Sequence, residues 1–160
     1  MKKIHDSETL ARGQQVITAC AFIYHDFGGV IKVFLPKRAN TKKFLPGVYE
    51  LPGGHIDYGE DIEDGLRREI KEEFNMNIEV YEPFYVFTYL NKIKGTHSIE
   101  VIYLAKFIDD IDNIKISPED HSEYVWIAEN EINKIIDENK RGDDEEIKAI
   151  KKGFLKLRIT

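Results

Sequence analysis

The hydrophobic positions of the chain follow two different periods, which predicts a mixed α/β protein. Residues 16–24 are almost continuously apolar and end in HDFGG, and residues 30–35 form a second apolar run. Apolar runs bounded by glycines are typical of buried strands joined in a hairpin, here across Gly28 and Gly29. Residues 36–54 contain three prolines and predict a long irregular loop. A loop of that length inside a compact domain usually serves function.

The rest of the chain alternates between strand and helix patterns. A helix is predicted over residues 61–74, then two β-rich runs over 78–90 and 98–107, a polar loop over 108–122 and a short strand over 124–128. Helices are predicted over 129–137 and 145–157, the second with one apolar face. Strands, a helix, strands and then helices favour a mixed sheet with helices on its faces over a repeating βαβ fold.

The helix at 61–74 is unusually acidic for one that packs on a core. At 100° per residue its apolar stripe is formed by Ile62, Leu66, Ile70 and Phe74. Glu69, Glu72 and Glu73 fall beside that stripe rather than on the far, solvated side. Burying unpaired carboxylates costs several kcal/mol each or forces protonation, and Arg68 alone leaves excess negative charge. Mg²⁺ or Mn²⁺, which prefer oxygen ligands, would neutralise the group.

Composition narrows the class of protein. The chain has 160 residues, 42% of them hydrophobic, which favours one ordinary domain with a core. Its net charge of −6 disfavours binding of polymeric nucleic acid. The single cysteine, Cys20, lies in an apolar run and indicates an inert buried thiol. Residues 1–12 read as a polar N-terminal extension without a signal peptide, and no apolar run is long enough to span a membrane. We therefore expect a cytoplasmic protein without a membrane partner.

The acidic helix and the loop before it resemble the Nudix box. The box pattern, Gly-x5-Glu-x7-Arg-Glu-U-x-Glu-Glu-x-Gly-U with U a bulky aliphatic residue, fits residues 54–76 at eight of nine fixed positions: Gly54, Glu60, Arg68, Glu69, Ile70, Glu72, Glu73 and Met76. The exception is Asn75, where the family has glycine. That position ends the helix, and asparagine is the next best residue for a left-handed conformation. We therefore expect the helix end to survive.

The resemblance implies a fold, an activity and a site. The fold would be an α/β/α sandwich around a mixed sheet. The activity would be Mg²⁺- or Mn²⁺-dependent hydrolysis of nucleoside diphosphates linked to another group. By resemblance, the metal ligands would be Glu69, Glu72, Glu73 and the carbonyl of Gly54, with Arg68 orienting the carboxylates and Glu60 supporting that network. Gly53 and Gly54 would let the backbone approach the substrate closely.

Further site candidates lie outside the box. The general base would be Glu69 or an acid of the loop 117–127, with Glu123 first and Glu119, Asp120 and His121 behind it. Arg38 is the candidate for a phosphate contact. Base stacking would fall to one of five aromatic residues: Phe44, Tyr49, Tyr85, Phe87 and Trp126. His55 is interpreted as a loop residue rather than a ligand, because a hard cation does not call for imidazole.

The substrate follows from the resemblance by elimination. The proline mark of the ADP-ribose enzymes is not at its usual place, and residues 91–94 read NKIK where the dinucleoside polyphosphate enzymes have a tyrosine. The marks of the NADH and coenzyme A enzymes are also missing. A MutT-like enzyme acting on a (d)NTP or an oxidised (d)NTP such as 8-oxo-dGTP remains, as a monomer or homodimer.

Three alternatives stay open at this stage. One is hydrolysis of a nucleotide sugar or another nucleoside diphosphate derivative. Another is a non-catalytic Nudix module that senses a nucleotide. The third is an acidic interaction domain, which predicts that Glu69 and Glu73 point to solvent and that no metal binds.

Overall fold

A six-stranded mixed sheet forms the centre of the computed structural model, which describes residues 13–159; the predicted N-terminal extension, residues 1–12, lies outside the described residues. Three helices and two short 3₁₀ turns, Ile111–Asn113 and Glu129–Glu131, accompany the sheet. The strands are β1 Gln15–Phe27, β2 Val30–Arg38, β3 Gly53–His55, β4 Ile78–Asn91, β5 Thr96–Phe107 and β6 His121–Ala128. The helices are α1 Ile62–Phe74, α2 Ile132–Asn139 and α3 Glu145–Arg158.

The strand β1 organises the sheet. It pairs in parallel with β5 along one edge, and along the other edge it pairs antiparallel first with β3 and then with β2. Strand β4 extends the sheet beyond β5, and β6 extends it beyond β2. The predicted hairpin of β1 and β2 is confirmed, with positive φ angles at Gly28 and Gly29 in its turn.

Two apolar cores lie on opposite faces of the sheet. Helix α1 covers one face, where Leu66, Ile70 and Phe74 pack with alternate residues of β1 and with Phe34. Helices α2 and α3 cover the other face. There, residues of these helices pack against residues of β1 and β5: Phe22, Ile102, Leu104, Ile135, Ile147, Ile150 and Phe154. The predicted α/β/α sandwich around a mixed sheet is thus confirmed.

The loop predicted over residues 36–54 is shorter in the structure. Strand β2 continues to Arg38, and Gly53–His55 forms β3. Pro36 is tolerated within β2 because its carbonyl accepts a hydrogen bond from Glu50 N, 3.1 Å away, which needs no donor from the proline. The interpretation of His55 as a loop residue was therefore wrong: it is buried in β3 opposite Thr18.

Smaller differences concern element ends. Strand β6 begins at His121, and a 3₁₀ turn precedes α2 where a continuous helix from residue 129 was predicted. Among the described residues, no helix has the length and hydropathy needed to cross a membrane.

Candidate active site

Both ends of α1 are fixed by local hydrogen bonds. The Asp61 carboxylate accepts from the backbone N–H groups of Glu63 and Asp64, as N-cap residues do. At the other end Asn75 has φ 55° and ψ 35°, and its N–H donates to the carbonyl of Lys71. The predicted left-handed helix end at Asn75 is confirmed, which gives the acidic helix a defined length and register.

Arg68 organises the acids around it. Its Nε and Nη2 lie 2.8 and 3.0 Å from the two carboxylate oxygens of Glu60, and Nη2 also donates to the carbonyl of His55 at 2.9 Å. Its Nη1 lies 2.9 Å from Glu69 Oε1 and 3.4 Å from Glu72 Oε2. The two-point bond to Arg68 lowers the pKa of the Glu60 carboxyl, and bonding to Glu60 raises that of Arg68. The arginine thus bonds three of the box glutamates, Glu60, Glu69 and Glu72.

The glycines of β3 are required by close packing. A Cβ atom on Gly53, whose φ is +156°, would lie 2.0 Å from the carbonyl oxygen of Ala19 in β1. A Cβ atom on Gly54 would lie 2.5 Å from the carboxyl carbon of Glu69. The Glu69 carboxylate therefore rests directly against the backbone of Gly54.

A cavity of about 220 Å³, here called the box cavity, is lined by residues of α1 and of the sheet. Its lining comes from α1, β3, β1, β5 and the segments that follow β2 and precede β6. All of the predicted metal-site residues line it: Gly54, Glu69, Glu72 and Glu73. Gly53, His55 and Arg38 line it too.

The three glutamates predicted to bind metal are not solvated alike. Glu69 is 8% exposed, Glu73 is half-buried, and Glu72 is exposed. Burial, followed by the charges of Glu69, Asp120 and Glu50, raises the pKa of the Glu73 carboxyl well above its ordinary value. Because Glu69 is buried and Glu73 faces the cavity, the acidic interaction domain, which needs both in solvent, is contradicted.

Two basic side chains, Arg38 and Lys42, also line the box cavity. Arg38 Nη1 lies 3.2 Å from Glu50 Oε1, and its Nε donates to the carbonyl of Phe44 at 2.8 Å. Lys42 Nζ lies 3.1 Å from Asp120 Oδ1. Burial by itself would raise the pKa of Glu50, but Arg38 and His121 together hold it below its ordinary value. Two cations thus face a cavity that is otherwise acidic.

The donor set suits a hard divalent cation in chemistry and charge. Every predicted ligand is an oxygen, and the carboxylates outnumber the cations beside them. In residues 13–159, however, no three acidic, histidine or cysteine side chains converge closely enough to hold a metal ion. One oxygen of Glu69 and one of Glu72 lie beside Arg68 Nη1 instead. Metal binding therefore stays a prediction, and the residues are chemically suited to it.

The structure separates the candidate bases. Asp120 and His121 line the box cavity, and Glu119 is exposed. Glu123 lies on β6 outside the lining of that cavity, where it accepts a hydrogen bond from the Tyr49 hydroxyl and pairs with Lys37 Nζ at 3.7 Å. Regular alternation would place residues 121 and 123 on the same face of β6, but a register shift between their pairs with Arg38 and Lys37 interrupts that alternation.

The residues predicted to stack on a base lie in different parts of the structure. Phe44 lines the box cavity, and its ring stacks with that of Tyr89 at a centroid distance of 6.1 Å. Trp126 packs among Phe27, Phe34 and Phe107, away from the cavity lining. Tyr49 and Tyr85 do not line this cavity either, and their hydroxyls bond to Glu123 and Glu145.

Several lining residues were missed by the sequence analysis: Thr18, Lys42, Glu50, Tyr89 and Glu100. Glu100 alone carried a recognisable signal, because it interrupts an apolar strand at a position whose neighbours on the same face, Ile102 and Leu104, are buried. Cys20, predicted to be buried and inert, is buried, and burial raises the pKa of its thiol well above the ordinary value.

The fold and the box define the family. The model of the NUDIX domain matches residues 14–150 of this chain, and the chain therefore belongs to that family. A solved structure of an Ap4A hydrolase from C. elegans is similar over 90% of this chain and 98% of that one, with a TM-score of 0.68 and 25% identity.

Curated relatives differ in the substrates that their names give. An 8-oxo-dGTP diphosphatase of Haemophilus influenzae is 37% identical over 78 residues, which are 47% of this chain and 54% of the relative. The nucleoside triphosphatase NudI of Escherichia coli is 32% identical over 101 residues, which are 58% of this chain and 70% of the relative. Among the first of these relatives, the chain spans only about a third to a half of their length.

Proposed function

We propose that this protein is a divalent-metal-dependent pyrophosphohydrolase that cleaves the diphosphate link of a nucleoside diphosphate bonded to another group. The preferred substrate class is a (d)NTP or an oxidised (d)NTP such as 8-oxo-dGTP. One observation carries the proposal: Arg68 fixes Glu69 and Glu72 at a cavity that also contains Glu73 and the Gly54 backbone. The names of the H. influenzae and E. coli relatives support the same reaction class.

The predicted metal ligands and Arg68 have separate roles in this reaction. Glu69, Glu72, Glu73 and the Gly54 carbonyl would hold Mg²⁺ or Mn²⁺, which when bound neutralises phosphate oxygens and lowers the pKa of a coordinated water. Arg68 positions the carboxylates through its bonds to Glu60 and Glu69. The absence of a Cβ atom at Gly54 lets the Glu69 carboxylate lie directly against the backbone that carries the Gly54 carbonyl.

Arg38 and Lys42 would receive the phosphates of the substrate. Both line the box cavity, and each pairs with a carboxylate, Glu50 and Asp120 respectively. A phosphate group competes with these carboxylates for the cations, so substrate binding would release the Lys42–Asp120 pair. Asp120 would then be available as a base, with Glu69 as the candidate within the box. Because Glu123 lies outside the cavity lining, its predicted role as base has no geometric support.

A hydrolysis panel tests the proposal. The panel holds dNTPs, 8-oxo-dGTP, ADP-ribose, nucleotide sugars and dinucleoside polyphosphates with Mg²⁺ or Mn²⁺, and it scores phosphate, pyrophosphate and nucleoside monophosphate. Glu73→Gln should lower kcat/KM by about 100-fold or more. The matched control is Asp64→Asn, which changes an exposed acid of the same helix and should leave turnover within twofold.

Other results would point elsewhere. Turnover restricted to nucleotide sugars or ADP-ribose would keep the reaction and overturn the preferred substrate. Metal-dependent nucleotide binding without turnover of any substrate would favour the sensing module. Calorimetry that detects neither Mg²⁺ nor Mn²⁺ binding would overturn the metal assignment itself.

A further inference from the structure

A second cavity of about 490 Å³ adjoins the box cavity. The two share four lining residues, namely Phe44, Glu50, Tyr89 and Glu100. Phe87 and Leu90 of β4 add to its apolar wall, and Glu146 of α3 adds a carboxylate. We call it the aromatic cavity. A group attached to a diphosphate in the box cavity would extend into it.

Glu100 stands where the sheet face changes character. It lies opposite Thr18 of β1 and Phe87 of β4 in the sheet register. Two residues further along β5 the same face is apolar, and Ile102 packs into the core beneath α3. Glu100 is nonetheless only 7% exposed. A buried carboxylate reduces stability, and such a cost is expected at functional sites.

One oxygen of Glu100 is fixed and the other is open. Thr18 Oγ1 donates to Glu100 Oε1 at 3.2 Å, and Cys20 Sγ lies 3.4 Å from the same oxygen. Within residues 13–159, Glu100 Oε2 accepts no hydrogen bond, although Glu100 lines both cavities. A positioned carboxylate with one open oxygen is suited to accept from a ligand.

Glu146 of α3 is similarly placed, and it also lines the aromatic cavity. Its Oε1 accepts a hydrogen bond from Leu51 N, and no other described residue donates to its carboxylate. Burial and the charge of Glu100 raise the pKa of Glu146 well above its ordinary value, and burial raises that of Glu100 to about 7. Two such carboxylates facing one cavity are stabilised by a ligand that donates to both.

We propose that Glu100 and Glu146 read the base of the substrate, each accepting a hydrogen bond from the adjacent N1–H and N2–H donors of a guanine-type base. Guanine presents two neighbouring donors on one edge, whereas adenine and cytosine present a donor beside an acceptor, which a carboxylate repels. The oxidised base 8-oxoguanine keeps the same two donors. Phe44, Phe87 and Tyr89 supply the aromatic wall against which a planar base packs. This inference rests on the proposed function and names its substrate class.

The test compares nucleotides that differ in one donor. Inosine keeps N1–H but lacks the N2 amino group, so wild-type kcat/KM for GTP should exceed that for ITP by about 10-fold or more. In Glu100→Gln the amide presents a donor and an acceptor, which match adenine. In this variant the ratio of kcat/KM for GTP to that for ATP should therefore fall by about 10-fold or more. The same fall is expected in Glu146→Gln. Glu82→Gln, at an exposed position of β4, is the matched control and should keep the wild-type ratio.

Equilibrium binding supplies a second readout that does not depend on turnover. Calorimetry should show that wild type binds GMP more tightly than IMP or AMP. This preference for GMP should be lost in Glu100→Gln. If Glu100 had only a structural role, Glu100→Gln would weaken the binding of all three nucleotides alike, and that result would overturn the proposal.

The outcomes separate the two proposals. Turnover without preference between GTP, ITP and ATP overturns the reading by Glu100 and Glu146 and leaves the hydrolase standing. Preference for GMP in binding, without turnover of any nucleotide, supports the reading and overturns the hydrolase. Glu100→Gln could instead lower the turnover of nucleotide sugars to the same extent for every base. That result would assign the carboxylates to sugar hydroxyls and overturn the proposal that they read a base.

Discussion

Arg68 and Glu60 form a two-point ion pair, with Nε and Nη2 of the arginine 2.8 and 3.0 Å from the two glutamate oxygens. The pair lies eight residues apart in sequence and joins the loop before α1 to the middle of that helix. Its planar geometry leaves Nη1 directed at Glu69 and Glu72. The orientation of the box acids therefore depends on a residue that need not touch the substrate.

Replacing Arg68 with lysine should disorganise these acids. An ammonium group is unable to bond both oxygens of Glu60 in one plane while holding Glu69 and Glu72. We expect kcat/KM to fall by about 10- to 100-fold. Steady-state hydrolysis measures this, with Arg67→Lys as the control, because Arg67 makes an exposed pair with Asp64 and should tolerate the change within twofold. Equal activities of the two variants would refute a positioning role for Arg68.

Alanine substitutions at the two glycines of β3 should have different effects on stability and activity. Alanine at Gly53 would press on the backbone carbonyl of Ala19, which has no room to move, so we expect a loss of about 3 kcal/mol in the free energy of unfolding. Alanine at Gly54 would press on the side chain of Glu69, which can turn away. That variant should keep most of its stability but lose about 100-fold in kcat/KM.

Urea unfolding and hydrolysis, run on both glycine variants, separate these effects. A stable, fully active Gly54→Ala protein would show that the contact with Glu69 has no part in turnover.

Glu100 should make stability depend on pH. Its folded pKa is raised to about 7, so between its ordinary value of 4.5 and 7 the folded state binds more protons than the unfolded state. Stability from this group is therefore lost as pH rises through that window. Wild type should lose about 3 kcal/mol relative to Glu100→Gln between pH 5 and pH 8 in the absence of metal. Urea unfolding at both pH values checks this, and parallel pH profiles of the two proteins would contradict it.

The helix ends offer a test of backbone conformation. Asn75 and Lys140 both end helices with φ 55°. Glycine adopts this conformation without steric cost, whereas lysine pays about 1 kcal/mol. Lys140→Gly should therefore gain up to about 1 kcal/mol in the free energy of unfolding, Asn75→Gly should change it by a few tenths, and Asn75→Ala should lose about 1. Chemical denaturation measures all three, and a loss in Lys140→Gly would argue against the left-handed end.

The sequence predicted the box helix well because its information is local. The period of Leu66, Ile70 and Phe74 sets the buried face, and the spacing of the acids sets the resemblance. Strand β3 was missed because Gly53–His55 has too few side chains to show a period of two. The sheet, not the local sequence, makes these residues a strand.

Residues distant in sequence escaped prediction for a related reason. Glu50 and Lys42 lie in a segment without periodicity, and the bridge between Lys37 and Tyr49 helps to bring that segment to the cavity. Glu123 showed the opposite problem. Its residue type and its loop suggested a base, but the strand register turned it away from the cavity lining.

The hydrogen bond between Thr18 and Glu100 joins residues 82 positions apart. The parallel pairing of β1 with β5 that carries it closes a long loop of chain, and such pairings form slowly because much conformational entropy is lost before any contact is gained. The box helix can form early, whereas the binding cavity exists only after the sheet is complete. A nucleotide that binds there binds the native state alone, so its presence should slow unfolding and raise the midpoint of thermal denaturation in proportion to the logarithm of its concentration.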